Sequence, residues 1–345
     1  MAVPRRIIAI GGSAGALDPL IEILAKVSPN LDMAYFVVIH FPSNRTSILP
    51  ALLNRTTRLR AVYAEDGEKI ERGHVYVARS DRHLIVNDGR VGVINGPKEN
   101  ASRPSIDVLF RSVAQAAGRR AMGVVLSGLL DDGTAGLLSI AKQGGRTVAQ
   151  EPQEALFAEM PRNAIITGKA GSVLSASAIA TYLEEIGNAQ DTRLNGAVGK
   201  NARPDLDTNG MPDDEPFGAP SPFVCPECQG TLWQLRDDTL ERYRCRVGHA
   251  YSEQTLWEQK SESLEAALWA AARALKEQAD LSERIAENAR SQSKVFLAKR
   301  FDQKHRAAQE AEATVRDVLL GLRPNEGPQI DPAVTAQVQE PSQPA

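Results

Sequence analysis

The stretch IIAIGGSAG, residues 7–15, joins an apolar run to a serine bracketed by glycines. The run predicts a buried strand, and the apolar spacing from Leu17 to Leu24 predicts a helix directly after it. Glycines permit a tight turn between the two elements, which lifts the Ser13 hydroxyl out of the sheet edge, as in a nucleophile elbow. A phosphate cradle has a similar form, although the G-x-G-x-x-G spacing and the P-loop lysine are lacking. The stretch alone leaves both functions open.

Short apolar runs alternate with helical patterns from residue 5 to about residue 187. This alternation predicts an α/β domain built on a doubly wound, mainly parallel sheet. The stretch from Val75 to Ile94 has turn residues at 79–81 and 87–89, which predict an antiparallel hairpin at one margin of the sheet. We therefore expect a domain that spans residues 1–187.

The rest of the chain divides into four further segments. Residues 188–222 are rich in Asn, Asp, Pro and Gly, which predicts a flexible linker. Residues 223–251 contain all three cysteines. Residues 252–322 contain no proline and are rich in Ala, Glu, Leu, Lys and Arg, which predicts a long helix or helical hairpin that can self-associate. Residues 323–345 predict a disordered tail.

Composition excludes several classes of protein. The chain has 345 residues, of which 42% are hydrophobic and 24% charged, and its formal net charge is -3. This balance gives no reason to expect a nucleic-acid partner or attraction to an anionic membrane. No apolar run approaches the length of a membrane span, and residues 1–6 lead into the first strand without the apolar region of a signal peptide. We expect a cytoplasmic protein with no direct membrane insertion.

Candidate partners for Ser13 follow neighbouring strands. Serine catalysis needs a base and an acid that orients the base, and on a parallel sheet both belong past the carboxyl ends of the strands. His40 ends one apolar run, and Asp131 and Asp132 follow another, so all of them fall on the rim that carries Ser13. Other roles stay open, because a strand-end histidine is commonly a hydrogen-bonded surface residue and either aspartate can cap the helix beginning near Thr134.

Six motifs in this domain resemble those of the CheB-type protein-glutamate methylesterase domain, across essentially its full length. They are IAIGGSAG at 8–15, VIHFP at 38–42, VYVA with DRH at 75–83, RPSID at 103–107, LSGLLDDG at 126–133 and MPR at 160–162. Their number and order make this resemblance far more specific than the elbow alone.

The resemblance implies a catalytic triad of Ser13, His40 and Asp132, with Asp132 rather than Asp131 as the acid. The implied reaction is hydrolysis of glutamate γ-methyl esters on chemoreceptor-like proteins, with release of methanol and no cofactor for catalysis. Deamidation of receptor glutamine is a close variant. Methylated receptors, a cognate methyltransferase and a separate response regulator are the implied partners. The alternative is an inactive receptor-binding scaffold.

The resemblance also implies an oxyanion hole made by the backbone N–H groups of Ala14 and Leu129. The family usually has Met-Gly where this chain has Leu129 and Leu130, and a leucine is strained wherever the backbone needs a positive φ. The best-known members carry an N-terminal receiver domain. Because this chain enters its first catalytic strand near residue 5, we expect no receiver domain and look downstream for regulation.

The cysteine segment follows a metal-site pattern. Cys225, Cys228, Cys245 and His249 form C-x2-C…C-x3-H, and an odd, clustered set of cysteines is a poor disulfide framework. Four such ligands suit a closed, structural zinc site in a zinc-ribbon-like module, with a β-hairpin between the two halves. A redox pair or unliganded cysteines are the alternatives. Because basic and acidic residues near the module balance, we expect a protein contact rather than nucleic acid.

Overall fold

The computed structural model describes residues 4–41, 48–189, 218–237 and 240–322. The chain divides into two compact units, residues 1–259 and 260–345. The first unit contains the α/β domain together with the cysteine segment, and the second contains most of the C-terminal helical segment.

A seven-stranded, wholly parallel sheet forms the centre of the α/β domain. The strands of this domain are β1 (Arg6–Gly12), β2 (Met33–Ile39), β3 (Arg60–Tyr63), β4 (His74–Val77), β5 (His83–Asn87), β6 (Arg90–Ile94), β7 (Ala121–Val125), β8 (Arg146–Gln150) and β9 (Ser172–Leu174). The order in the sheet is β3-β4-β2-β1-β7-β8-β9, so the winding reverses between β1 and β7. In open α/β sheets, ligands bind outside the carboxyl ends of the strands at such a reversal.

Helices cover both faces of this sheet, as expected for a doubly wound fold. They are α1 (Leu17–Lys26), α2 (Leu49–Thr56), α3 (Ile106–Ala117), α4 (Thr134–Lys142), α5 (Glu159–Ile166) and α6 (Ala176–Asn188). One core contains Leu20 of α1 and Leu183 of α6, and the other contains Phe110 of α3 and Leu137 of α4. β1 and β2 are buried along their whole length because each contributes side chains to both cores.

The antiparallel hairpin predicted over Val75–Ile94 is confirmed only for residues 83–94, because residues 74–77 form β4 of the parallel sheet. Its expected place at a margin of the sheet is wrong. β5 and β6 form a separate two-stranded sheet. Leu84, Val86 and Val91 join the core that contains α3, and Val86 N donates a hydrogen bond to Ser112 Oγ of α3 at 3.1 Å. The hairpin therefore buries its apolar face against a helix rather than extending the parallel strands.

The cysteine segment forms a third sheet, which has four antiparallel strands. Its strands pair in chain order and are β10 (Ala219–Val224), β11 (Thr231–Asp237), β12 (Leu240–Cys245) and β13 (Ala250–Ser252). The predicted hairpin corresponds to β11 and β12. β10 begins at Ala219, four residues before the predicted start of this segment at residue 223. Residues 190–217 of the expected linker and the expected tail from residue 323 lie outside the described residues.

The C-terminal segment contains two helices, α7 (Glu253–Ser291) and α8 (Val295–Gly321). Within the second unit, α8 runs back along α7, because Arg290 pairs with Asp302 at 2.8 Å and His305 Nδ1 lies 2.8 Å from Ala279 O. Buried alanines at 272, 279 and 286 recur every seven residues along α7, a spacing typical of paired helices. Across the parts of the chain that the structure describes, no helix has both the length and the apolar character of a membrane span.

Candidate active site

Ser13 lies in the turn that joins β1 to α1. A Cβ on Gly12 would lie 2.5 Å from the Ala16 Cβ, and Gly15 has a φ of +73°, so both positions require glycine. Ser13 N donates to Ser127 O at 2.9 Å, which ties the turn to the chain beyond β7. The structure thus places Ser13 at the carboxyl end of β1, where the winding of the sheet reverses.

His40 follows β2 on the same rim. In the register of β1 and β2, Gly12 pairs with Ile39, and His40 N donates to Gly12 O at 3.1 Å. Adjacent strands lie about 4.8 Å apart, so His40 and Ser13 leave neighbouring strands side by side. No hydrogen bond joins the Ser13 hydroxyl to His40 among the described residues. Catalytic hydrogen bonds are often long without substrate and shorten when it binds.

Asp132 is the carboxylate that meets His40. Oδ2 of Asp132 lies 3.0 Å from Nε2 of His40, and the two side chains are 4% and 20% exposed. This distance is short enough for an ion pair with a protonated ring. The orientation of the ring does not give His40 Nε2 a hydrogen bond of ordinary geometry. The structure therefore brings Asp132 and His40 together at the rim that also carries Ser13.

The N-terminus of α3 holds the Asp132 carboxylate. Its oxygens accept from Ile106 N at 2.7 Å, Asp107 N at 3.1 Å, Ser105 Oγ at 2.9 Å and Asn100 Nδ2 at 3.2 Å. Free N–H groups and the positive end of the helix dipole both favour a negative charge there. Asp132 is therefore a cap supplied from outside the helix it caps.

Two neighbouring carboxyls have opposite pKa shifts. Burial raises the pKa of Asp132, but His40 and the amides of Ile106 and Asp107 outweigh burial and leave that pKa below its usual range. Burial, together with the charge of Asp132, raises the pKa of Asp107 to about 7. Asp132 is thus the member of the pair that keeps its negative charge.

Asp131 has different partners. Its Oδ1 accepts from Ser252 Oγ at 2.7 Å and from Thr255 Oγ1 at 3.0 Å, and burial raises its pKa. The residue that precedes α4 is Gly133, and no side chain caps the N-terminus of this helix. Neither aspartate side chain therefore caps α4: one caps α3, and the other holds the start of α7.

The two backbone amides expected to form an oxyanion hole belong to segments that lie close to Ser13. A Cβ on Gly128 would lie 3.0 Å from the Ser13 Cβ, so the segment that contains Leu129 passes close to the serine. Among the described residues, the amides of Ala14 and Leu129 donate to no protein acceptor. Leu130 has a φ of +61°, so this chain has a leucine where the left-handed backbone favours glycine.

The cysteine segment gathers four groups that could hold a metal. The ligand atoms of Cys225, Cys228, Cys245 and His249 all lie within 4.8 Å of one another. A tetrahedral zinc site places sulfurs about 3.8 Å apart and a sulfur about 3.6 Å from a nitrogen. Here the Sγ atoms of Cys228 and Cys245 are 3.6 Å apart, and His249 Nδ1 lies 3.7 Å from Cys225 Sγ and 3.5 Å from Cys245 Sγ. The cluster fits a tetrahedral ion, with Nδ1 as the nitrogen ligand.

Sequence reasoning missed the residues that support Asp132. Ser105 and Asp107 belong to the motif RPSID, which could have indicated them, whereas nothing local singles out Asn100. His83 is buried, its Nδ1 accepts from Ser105 N at 3.2 Å, and its Nε2 contacts Pro97 O at 2.8 Å, so it supports the start of α3.

Comparison with known families agrees with this geometry. The profile of the CheB methylesterase family matches residues 8–183, which is just over half of the chain. The chain belongs to the CheB methylesterase family. The match begins in β1 and ends in α6, so it contains Ser13, His40 and Asp132 and excludes the cysteine segment.

Individual members of the CheB methylesterase family match the same region. A protein-glutamate methylesterase/protein-glutamine glutaminase of Yersinia pestis bv. Antiqua (strain Antiqua) is 38% identical over 195 residues, 55% of this chain and 56% of the relative. One from Xanthomonas oryzae pv. oryzae (strain MAFF 311018) is 37% identical over 180 residues, 51% of each chain. The crystal structure of the Thermotoga maritima CheB methylesterase catalytic domain is 31% identical with a TM-score of 0.50, and the match covers 52% of this chain and 98% of that structure. The chain thus spans about half the length of the two enzymes.

The left-handed leucine gives a prediction about stability. We expect Leu130→Gly to raise the free energy of unfolding by about 1 kcal/mol, because glycine removes the left-handed strain. Leu129→Gly is the matched control, since it deletes the neighbouring leucine side chain at a residue whose φ is not positive. Urea denaturation of both variants measures the difference. Equal destabilisation by the two substitutions would show that Leu130 is not strained.

Proposed function

We propose that the chain hydrolyses glutamate γ-methyl esters on chemoreceptor-like proteins and releases methanol. The observation that carries this proposal is the 3.0 Å approach of Asp132 to His40 on the rim where Ser13 leaves β1. Membership of the CheB methylesterase family favours a nucleophile elbow over a phosphate cradle. The names of the relatives supply the class of bond, a methyl ester on protein glutamate. The receptor follows from the resemblance of the motifs, and we assign the proposed enzyme to the cytoplasmic part of such a receptor.

The first half of the proposed reaction forms an acyl-enzyme. The Ser13 oxygen attacks the ester carbonyl while His40 takes the hydroxyl proton. Because Nε2 faces Asp132, Nδ1 is the ring nitrogen that accepts this proton. The charge of Asp132 stabilises the imidazolium, and the free amides of Ala14 and Leu129 hold the oxyanion. Collapse of the intermediate passes the proton from His40 to the departing methanol.

The second half returns the enzyme to its starting state. Water attacks the acyl carbonyl and gives a proton to His40. The carbon–oxygen bond to Ser13 then breaks, and the serine oxygen takes that proton back. The products are the free glutamate carboxylate and intact enzyme, so the cycle needs no cofactor. A glutamine side chain would pass through the same intermediates with ammonia as the leaving group, which makes deamidation the second candidate activity.

The remaining segments have proposed roles in recruitment or regulation. We assign residues 1–187 to the catalytic domain, 188–222 to a linker, 223–251 to the Cys/His module, 252–322 to a helical segment and 323–345 to a tail. In the second unit, exposed apolar side chains include Trp269, Leu281 and Leu320. A methyltransferase, a separate response regulator or a second copy of the chain could contact these side chains.

Methanol release from a methylated chemoreceptor fragment tests the esterase. We expect Ser13→Ala and His40→Ala each to lower the turnover rate by at least about 10³-fold, because the two residues act as one unit. Circular dichroism controls for folding. Substantial turnover by either folded variant would reject the triad. Tight receptor binding without any turnover by the unmodified chain would instead favour the inactive scaffold.

The two adjacent aspartates give a second test. Asp132→Asn keeps the shape of the side chain but removes the charge beside His40, and we expect it to lower turnover by on the order of 10³- to 10⁴-fold. Asp131→Ala removes only the acceptor for Ser252 and Thr255, so a loss of about 10-fold or less is expected. The reverse ranking would mean that Asp131 is the acid.

We further propose that the Cys/His cluster binds one structural zinc ion. Four protein ligands close the coordination shell, so such an ion would support folding rather than catalysis. Metal analysis of the purified chain is expected to give about one zinc per molecule, and Cys225→Ser or Cys245→Ser should abolish binding. The site would be refuted if the purified chain were folded, contained no metal, and had three thiols and the His249 imidazole all free to react.

A further inference from the structure

A strained turn lies between the Cys/His module and the catalytic aspartate. Glu99 and Ser102 exchange backbone hydrogen bonds at 3.2 and 3.0 Å, and the two residues between them, Asn100 and Ala101, have φ values of +50° and +57°. Two left-handed residues in a two-residue loop make a type I′ turn, which normally contains Asn-Gly. An alanine resists this conformation, and strained turns persist where surrounding contacts determine them.

The module supplies those surrounding contacts. Asn100 N donates to Ala250 O at 2.8 Å, and Ala250 N donates to Lys98 O at 3.3 Å, so β13 pairs with the turn. Ser252 N also donates to Asn100 Oδ1 at 3.0 Å. β13 starts immediately after His249, one of the four proposed zinc ligands. The metal cluster and the turn are therefore joined by a few residues of paired backbone.

The side chain of Asn100 continues from the module to the active site. Its Nδ2 donates to Asp132 Oδ1 at 3.2 Å and to Asp107 Oδ2 at 2.9 Å, and the residue is 5% exposed. A single buried amide thus accepts from the module through its oxygen and donates to the carboxylate beside His40 through its nitrogen. The adjacent Asp131 accepts from Ser252 at 2.7 Å, which gives a second contact with the same segment.

Buried ion pairs hold the turn against the module. Glu99 lies between Arg111 of α3, whose nitrogens approach it at 2.6 and 2.7 Å, and Arg242 of β12. Burial alone would raise the pKa of Glu99, but the two guanidinium groups hold it well below its usual range. Removing one partner of a buried ion pair leaves an uncompensated charge, so separation of the module from this turn is costly.

We propose that Asn100 is a positioning residue for Asp132, and that the metal-bound Cys/His module sets the position of Asn100. Zinc binding then organises the catalytic triad from outside the catalytic domain. This inference rests on the esterase function proposed above. The charged and titratable groups that act on Asp132 are His40, His83, Asp107, Arg111 and Asp131.

Hydrogen exchange of the full chain tests the coupling without any substrate. Asn100 N is protected by Ala250, whereas Ile106 N and Asp107 N are protected by Asp132. We expect removal of zinc by a chelator to speed exchange across residues 98–107 and to leave α6 unchanged. Unchanged exchange across 98–107 in demetallated protein would overturn the proposal. Faster exchange in α6 as well would mean that the loss of zinc loosens the whole domain. In that case the substitutions below test the proposal in zinc-loaded protein.

Kinetics of Asn100→Gly test the positioning role, because glycine removes the side chain and tolerates the positive φ at this position. The variant is expected to lower kcat by on the order of 10-fold with little change in KM, because it removes a hydrogen bond to a charged group. It should also move the acidic limb of the kcat/KM profile to higher pH. Without the Asn100 donor, Asp132 protonates more readily, so its negative charge is lost at a higher pH than in the unmodified chain. A smaller folded fraction would lower rates equally at every pH.

Lys98→Ala is the matched control. Lys98 lies two residues before Asn100, and its Nζ forms an exposed ion pair with Glu227 of the module at 2.7 Å. The substitution removes this pair without changing any contact of Asp132. We expect kcat and the pH profile to stay unchanged in this variant. An Asn100→Gly profile that coincides with that of Lys98→Ala would overturn the proposal. Absence of turnover in the unmodified chain would instead count against the esterase, and hydrogen exchange would still test the coupling.

Ala101→Gly should make the catalytic site less dependent on zinc. Glycine at this position favours the type I′ turn without help from β13. We expect the demetallated Ala101→Gly protein to retain several-fold more of its zinc-loaded activity, and slower exchange across 98–107, than the demetallated unmodified chain. Equal losses in the two proteins would show that the turn does not transmit the effect of the metal.

Discussion

The capping of α3 by Asp132 is the interaction on which the rest of the site depends. The carboxylate is almost fully buried, and it can remain charged there because backbone amides at the positive end of a helix compensate for the loss of water. The same contacts also fix the position of the carboxylate oxygen that lies beside His40. In the proposed mechanism, the charge that orients the base is thus also the charge that closes the end of α3.

The central strands bring the proposed reacting groups together with little help from side chains. Ser13 and His40 follow β1 and β2, which are adjacent and in register, and Asp132 follows β7 on the other side of β1. Each reaches the rim because its strand ends there. Loops shape the site only beyond this point: the left-handed Leu130 turns the segment after β7, and the turn at Asn100 approaches the carboxylate from the side of the module.

Local patterns predicted the parts of this arrangement that local physics determines. The Gly12 turn, α1 and the parallel sheet follow from glycine, apolar periodicity and strand–helix alternation. The place of the β5–β6 hairpin does not, because both sheet margin and helix face offer an apolar surface. Nor could spacing show that Asp132 caps a helix that begins 26 residues earlier in the chain. Asn100 and the role of Asp131 depend on contacts between segments 121 to 152 residues apart, which no short motif encodes.

Adjacent aspartates bound to different partners impose a constraint on chain length. Asp132 is held by α3, whereas Asp131 is held by Ser252 and Thr255 at the start of α7. An insertion or deletion between β7 and α4 would move both carboxyls along the backbone at once and would break both sets of bonds. The spacing of this loop is therefore set jointly by the catalytic domain and by the module beside it, so a module of different geometry could not be exchanged for this one without a matching change in the loop.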